Sequence, residues 1–147
     1  MNYKIEDNKI KIFSLDEFNT KHIFECGQVF AYKKINDECY IFYPKNKVYL
    51  IYRSKYENQD IYIIQQIGGK FNLEEIIEIF DLETNYKIIK DKINKLTKRE
   101  NFKLDREIIK KAISFGYGIR ILKQDALEAI ISFVFSQDVK TYAFAER

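Results

Sequence analysis

Gly116-Tyr117-Gly118-Ile119-Arg120-Ile121-Leu122-Lys123-Gln124-Asp125-Ala126-Leu127-Glu128-Ala129-Ile130-Ile131-Ser132-Phe133-Val134-Phe135-Ser136-Gln137 is the stretch on which the fold turns. Two glycines stop any helix that precedes it. Asp125 then stands at an N-cap position, with Glu128 three residues on as its capping-box partner. From there Leu127, Ile130, Ile131 and Val134 fall at i, i+3, i+4 and i+7, and Phe133 and Phe135 widen the apolar stripe around most of the circumference. The pattern predicts a helix buried on nearly all sides, the core helix of something larger. Twelve residues follow Phe135, so the chain reads as one cut from a longer protein soon after its most apolar element.

Working back towards the N-terminus, three more helical stripes appear. Asp105 caps one carrying Ile108, Ile109, Ala112, Ile113 and Phe115. Thr84 caps one carrying Tyr86, Ile89, Ile93 and Leu96, and Asn72 with Glu75 caps one carrying Leu73, Ile76, Ile77 and Phe80. Thr97 to Lys103 is a polar link. Before Gly68-Gly69 the period changes from 3.6 to 2. Lys9 to Phe13 reads as a short strand, and Ser14 or Asp16 starts a helical turn. His22 to Tyr32 is a strand-like run interrupted at Gly27, which signals either a bulge or a place where another group approaches the backbone. Val29–Ile35, Cys39–Tyr43, Lys47–Arg53 and Ile61–Ile67 follow as strands, separated by Asn36-Asp37-Glu38, Pro44-Lys45-Asn46 and Lys55 to Asp60. Links this short favour antiparallel hairpins. Strands followed by helices make an α+β chain, with one sheet face against helices and the other half exposed.

Composition bounds what the chain does. Hydrophobic residues at 46% and aromatics at 16% exclude disorder, and no apolar run has the length of a membrane span. The N-terminus lacks the apolar core of a signal peptide, so a cytoplasmic location is expected, cytosolic or associated with a bacterial nucleoid. Cys26 and Cys39 form no Cys-x-x-Cys pair and read as free thiols. The single His22 makes no metal site, so neither metal nor cofactor is expected. Between Lys87 and Lys123 there are 12 Lys and Arg against 4 Asp and Glu, leaving 13 basic and 18 acidic residues elsewhere. That basic segment is either a phosphate-facing surface or a set of solvated helix faces. Dinucleotide, Walker and nucleophile-elbow motifs are absent, and Glu74, Glu75 and Glu78 read as a solvated helix face.

Phe24-Glu25-Cys26-Gly27-Gln28-Val29-Phe30, Phe80-Asp81-Leu82 and Arg120-Ile121-Leu122-Lys123-Gln124-Asp125, in that order, resemble the amino-terminal part of an 8-oxoguanine DNA glycosylase of the OGG type. The resemblance implies an antiparallel sheet with helices, similar to the TATA-binding-protein fold, over 1–117, and the first helix of a helix-hairpin-helix glycosylase domain over 118–147. It implies base-excision repair of double-stranded DNA containing 8-oxoguanine, in which the oxidised base is turned out of the duplex because its sugar carbon is unreachable while stacked. A lysine of the family then attacks that carbon and forms a Schiff base that leads on to strand cleavage.

By the same resemblance, the carbonyl of Gly27 accepts the N7 hydrogen that only the oxidised base carries, and Gln28 and Phe30 belong to the same substrate-binding motif. Gln137, Asp138 and Lys140 match the segment that faces the DNA at the gap left by the base. The chain departs from the family where Arg-Trp gives way to Ala31-Tyr32, and where an asparagine run gives way to Asp138-Val139-Lys140. The family's Pro-Gly hairpin, lysine nucleophile and partnering aspartate would follow residue 147, and the only proline is Pro44. No catalytic residue is therefore expected in this chain, nor excision by it alone. Two other readings stand beside this one. The first is a module binding DNA backbone through the basic segment. The second is an interaction domain that self-associates through the Leu127–Phe135 helix or pairs with a separate helical half.

Overall fold

Turn chemistry lays out the sheet. β1 (Tyr3–Glu6) returns as β2 (Lys9–Ile12) through Asp7, at φ 50°. β3 (Tyr32–Asn36) returns as β4 (Cys39–Phe42) through a turn in which Asn36 Oδ1 accepts from the Glu38 N–H at 2.9 Å. β5 (Val48–Tyr56) returns as β6 (Gln59–Ile67) through Glu57 and Asn58, at φ 48° and 64°. Successive positive φ values match the twist of the flanking strands, so this hairpin stays paired to its tip. The sequence reading ended these two strands early, because Lys55 to Asp60 looks like loop. The computed structural model describes residues 1–97 and 105–136, and its six strands form one antiparallel sheet in the order β1-β2-β6-β5-β4-β3. β1 was not anticipated from the polar N-terminus; it pairs with β2 from Tyr3↔Ile12 to Glu6↔Lys9.

One sheet face carries the core. Along β5, Tyr49 and Ile51 are buried while Leu50 and Tyr52 are half-buried on the opposite face. The inner face packs on α1 (Thr20–Phe24) and α2 (Leu73–Ile79) through Ile23, Phe24, Ile76 and Phe80. Burying each such side chain contributes about 1.5–3 kcal/mol. Aromatic rings supply much of the contact: Phe24 stacks on Tyr40 at 5.2 Å, and Phe42 meets Phe80 edge-on at 5.8 Å.

α1 corrects the reading of His22 to Tyr32 as an interrupted strand. Asn19 Oδ1 accepts from the His22 N–H at 3.2 Å and starts a helix. A strand would have placed Ile23 and Phe24 on opposite faces; the helical turn buries both. Pairing in the sheet begins only at Tyr32.

Glu25 ties the end of α1 to the sheet. Its carboxylate accepts from Tyr40 Oη at 2.6 Å and Lys34 Nζ at 2.8 Å. The Lys34 bond first, then the Tyr40 bond, hold its pKa below the usual carboxylate value. A depressed folded pKa gives stability that is present above the unfolded value and lost as pH falls through the folded one. The melting-temperature gap between wild type and Glu25→Gln is thus expected to be open at neutral pH and to close below about pH 4. A gap that persists in acid would contradict this.

α3 (Tyr86–Leu96), α4 (Arg106–Phe115) and α5 (Ala126–Ser136) follow. Asn85, not Thr84, caps α3, accepting from the Ile88 N–H at 3.2 Å; the Thr84 hydroxyl is already given to Asp81 Oδ1 at 2.6 Å. Asp105 caps α4, and Asp125 caps α5 by accepting from the N–H groups of Leu127 and Glu128 at 3.0 and 3.1 Å. Leu127 is 66% exposed, Ile130 62% and Phe133 60%. The expected core helix is therefore uncovered here: its pattern demands neighbours that the described residues do not provide. No described helix is long and apolar enough to cross a membrane.

Candidate functional site

The segment from Gly118 to Gln124 joins α4 to α5 in extended form and lies against the sheet domain. Extended backbone sends alternate side chains to opposite sides. Arg120 and Leu122 are buried and Gln124 half-buried, while Ile121 and Lys123 face out. The Lys123 N–H donates to the Ile79 carbonyl at 2.9 Å. The spacing Arg-x-Leu-x-Gln is thus the period of a docked strand-like edge.

Arg120 anchors it. The side chain is fully buried, and the guanidinium donates to the carbonyls of Phe80, Asp81, Glu17 and Thr84 at 2.7–3.2 Å. The Tyr86 ring lies 4.6 Å from its central carbon, a cation–π contact. Burial pulls its pKa below the ordinary arginine value, opposed by the charges of Tyr86, Asp81 and Glu17. Asp81 holds this frame in place: its carboxylate accepts from Thr84 and from Tyr86 Oη, and Tyr86 Oη accepts from the Ile121 N–H at 2.9 Å. Arg120 therefore leaves the basic surface counted from sequence. Lys123 is paired with Glu78.

Gly118 is where two backbones meet. It sits at φ 68°, and its carbonyl accepts from the Asn19 N–H at 2.8 Å. A Cβ there would lie 2.7 Å from the Asn19 nitrogen. Beside it His22 Nδ1–H donates to the Tyr117 carbonyl at 2.7 Å, so the histidine fastens the same junction. Sequence reasoning missed this role. The Gly-x-Gly spacing was visible, but Asn19 as the partner was not.

Gln28 links the other motif to this edge. Its Nε2 donates to the Ile23 and Arg120 carbonyls, each at 2.8 Å. Its Oε1 accepts from the Leu122 N–H at 2.9 Å, and its own carbonyl accepts from Gln124 Nε2 at 2.5 Å. The three motifs that stand apart in sequence are thus hydrogen-bond partners. Gly27, one residue earlier, is exposed at φ 85°, with nothing within 4 Å of where its Cβ would be. The reading of Gly27 as a bulge within a strand is corrected: it turns the chain between α1 and Gln28, and its peptide is open to an approaching group. Phe30 is half-buried and lines a cleft of about 220 Å³ with Phe42, Lys45, Glu78 and the start of α5 at Asp125 and Ala126.

Gln137, Asp138 and Lys140 lie outside the described residues, as does the segment 141–147. Cys26 and Cys39 are free thiols. Among the described residues, no group of three or more His, Cys, Asp or Glu could hold a metal ion.

The family model of the 8-oxoguanine DNA glycosylase N-terminal domain matches residues 11–130. Among solved structures, MBOgg1 in complex with a low-affinity DNA ligand is similar at 31% identity and TM-score 0.66, over 93% of this chain and 43% of that one. The apo form of Clostridium acetobutylicum 8-oxoguanine glycosylase/lyase is similar at 29% identity and TM-score 0.66, over 92% and 42%. The complex of that enzyme with double-stranded DNA containing cytosine opposite 8-oxoguanine gives 29% and 0.68, over 94% and 43%. The chain thus spans less than half the length of these structures. No curated protein matches the sequence.

Proposed function

Since the chain belongs to the 8-oxoguanine DNA glycosylase N-terminal-domain family, we propose that it supplies one side of a recognition site for oxidised guanine in double-stranded DNA. The observation that carries this reading is the open, side-chain-free Gly27 peptide next to Gln28, whose backbone is tied to the residue before the α5 cap. Oxidation at C8 places a hydrogen on N7 where guanine has an acceptor. A backbone carbonyl is complementary to the first and repels the second, and a residue without a side chain lets a flat base come close. Reading the base this way requires that it leave the stack. Residues 1–117 form the recognition domain, with Gly118–Gln124 packed against it. From 118 the chain passes into the start of an all-helical part, whose first helix, α5, is apolar around most of its circumference. The reading gives these residues the task of recognition and no bond-breaking step, so incubation of the chain with a lesion duplex is expected to release no free base.

The test compares affinity for two duplexes that differ only by 8-oxoguanine in place of guanine. A preference of about fivefold or more for the lesion is expected from one hydrogen bond gained and one repulsion avoided. Gly27→Ala is expected to remove the preference while leaving affinity for the undamaged duplex in place. Equal affinities in wild type would refute lesion reading. If those equal affinities also fall steeply with salt, the chain is instead a backbone binder acting through the lysines of α3 and α4.

The uncovered face of α5 has a consequence for the chain in solution. Apolar area of this kind is unfavourable in water, so the chain on its own is expected to self-associate through α5. Sedimentation should show concentration-dependent dimers or larger species, and Ile130→Asp should return the chain to monomer. A monomeric wild type at high concentration would contradict this.

A further inference from the structure

Gln28 matches the substrate-binding motif, yet its side-chain hydrogen bonds go to this chain's own backbone. Both carboxamide donors and its oxygen are spent on backbone: the Ile23 carbonyl at the end of α1, the Arg120 carbonyl and the Leu122 N–H. Turning the amide over would set its oxygen against two carbonyls, so one orientation alone satisfies the site. The Gly27 turn is therefore closed from within. Ile23 lies on one side of it and Gln28 on the other, and a single carboxamide bridges the two. The same group sets the distance from this turn to the extended edge that leads into α5, and Gln124 repeats the tie through the Gln28 carbonyl.

The geometry points to Gln28 as a positioning residue for the Gly27 carbonyl, acting through the turn and never touching the base. This inference rests on the reading of Gly27 as the base contact. A residue that merely filled space here would be replaceable by methionine, which has similar length. A residue that needs both donors and an acceptor is replaced neither by methionine nor by glutamate, which keeps the acceptor but cannot donate to the Ile23 and Arg120 carbonyls.

The experiment uses the whole chain, isotope-labelled, with Gln28→Met and Gln28→Glu as variants. Amide hydrogen exchange is followed at Leu122 and Gly27, with Ile51 and Ile64 as core references. Affinity is measured for the 8-oxoguanine and guanine duplexes. Gln28→Met is expected to speed exchange at Leu122 by about tenfold or more, and both variants to move the Gly27 resonance, with the core amides unchanged. The affinity ratio between the duplexes is expected to fall towards one, and affinity for the undamaged duplex to stay at the wild-type value. A Gln28→Met chain with wild-type exchange at Leu122 and a wild-type ratio overturns the inference. If wild type shows no lesion preference, the Gly27 reading fails. Exchange at Leu122 and Gly27 then still decides whether Gln28 sets the turn: unchanged values overturn that as well. Should Gln28→Met also lose protection at Ile51 and Ile64, Gln124→Leu replaces it, removing only the tie to the Gln28 carbonyl. A moved Gly27 resonance and a reduced ratio support the inference; unchanged values overturn it.

Discussion

Replacing Arg120 with methionine is expected to lower stability by about 3–5 kcal/mol, since the carbonyls it serves lose charge-assisted hydrogen bonds in a buried setting. The guanidinium is fully buried and bonds the carbonyls of Glu17, Phe80, Asp81 and Thr84. Two effects oppose each other. Removing a charge from the interior relieves its desolvation, which alone would favour methionine. The acceptors left behind sit at irregular turns, where no neighbouring backbone N–H takes over, and that loss outweighs the relief. The substitution should reduce the melting temperature by roughly 10 °C or more for a domain of this size. Arg120→Lys should recover only part of it, because an ammonium cannot spread over a fork of separated carbonyls. A methionine variant within about 1 kcal/mol of wild type would mean that desolvation dominates and that the carbonyl network is incidental.

Gly118→Ala is expected to lower stability by about 3 kcal/mol, combining the left-handed backbone penalty for an L side chain with a steric clash. The added Cβ would lie 2.7 Å from Asn19 N and Cβ and 3.0 Å from the Phe18 carbonyl carbon, none of which is the far end of a flexible side chain. Relief requires the Asn19 N–H to Gly118 carbonyl bond to break, so the edge should lift from the sheet domain while the sheet stays folded. Faster exchange at the Asn19 amide and proteolytic cleavage between residues 116 and 125, with strand amides still protected, would show this. Gly27→Ala makes the internal comparison. With nothing within 4 Å of the new Cβ, it carries only the conformational term, about 1–2 kcal/mol. Equal destabilisation by the two substitutions would show that the clash at Gly118 is absorbed.

What could be read from the sequence was whatever is encoded within a few residues. The alternation in Val48 to Tyr52, the links before Cys39 and before Val48, and the caps at Asn72, Asp105 and Asp125 each depend on neighbours in the chain, and each appears where the pattern put it. Local signals erred where two local solutions compete. Thr84 and Asn85 both suit a cap, and Asp81 decided between them by taking the threonine hydroxyl. The stretch before Gly27 suits strand or helix, and burial of both Ile23 and Phe24 selected the helix.

The site lies further from local reach. That Gly27, Gln28 and the Arg120 segment belong together was legible only as a resemblance among separated motifs. Their physical connection is made of hydrogen bonds between residues more than 90 positions apart. Nothing in the residues near Gln28 states that its amide turns inward, or that Arg120 is an interior anchor and not part of a basic surface. The sequence by itself determined the hairpin strands β3 to β6 and the helices that follow them, because period and capping are properties of neighbouring residues. Only the tertiary structure decided which polar groups are spent inside and which peptide, at Gly27, stays open, because satisfying a buried donor is settled by whatever backbone arrives from the far end of the chain.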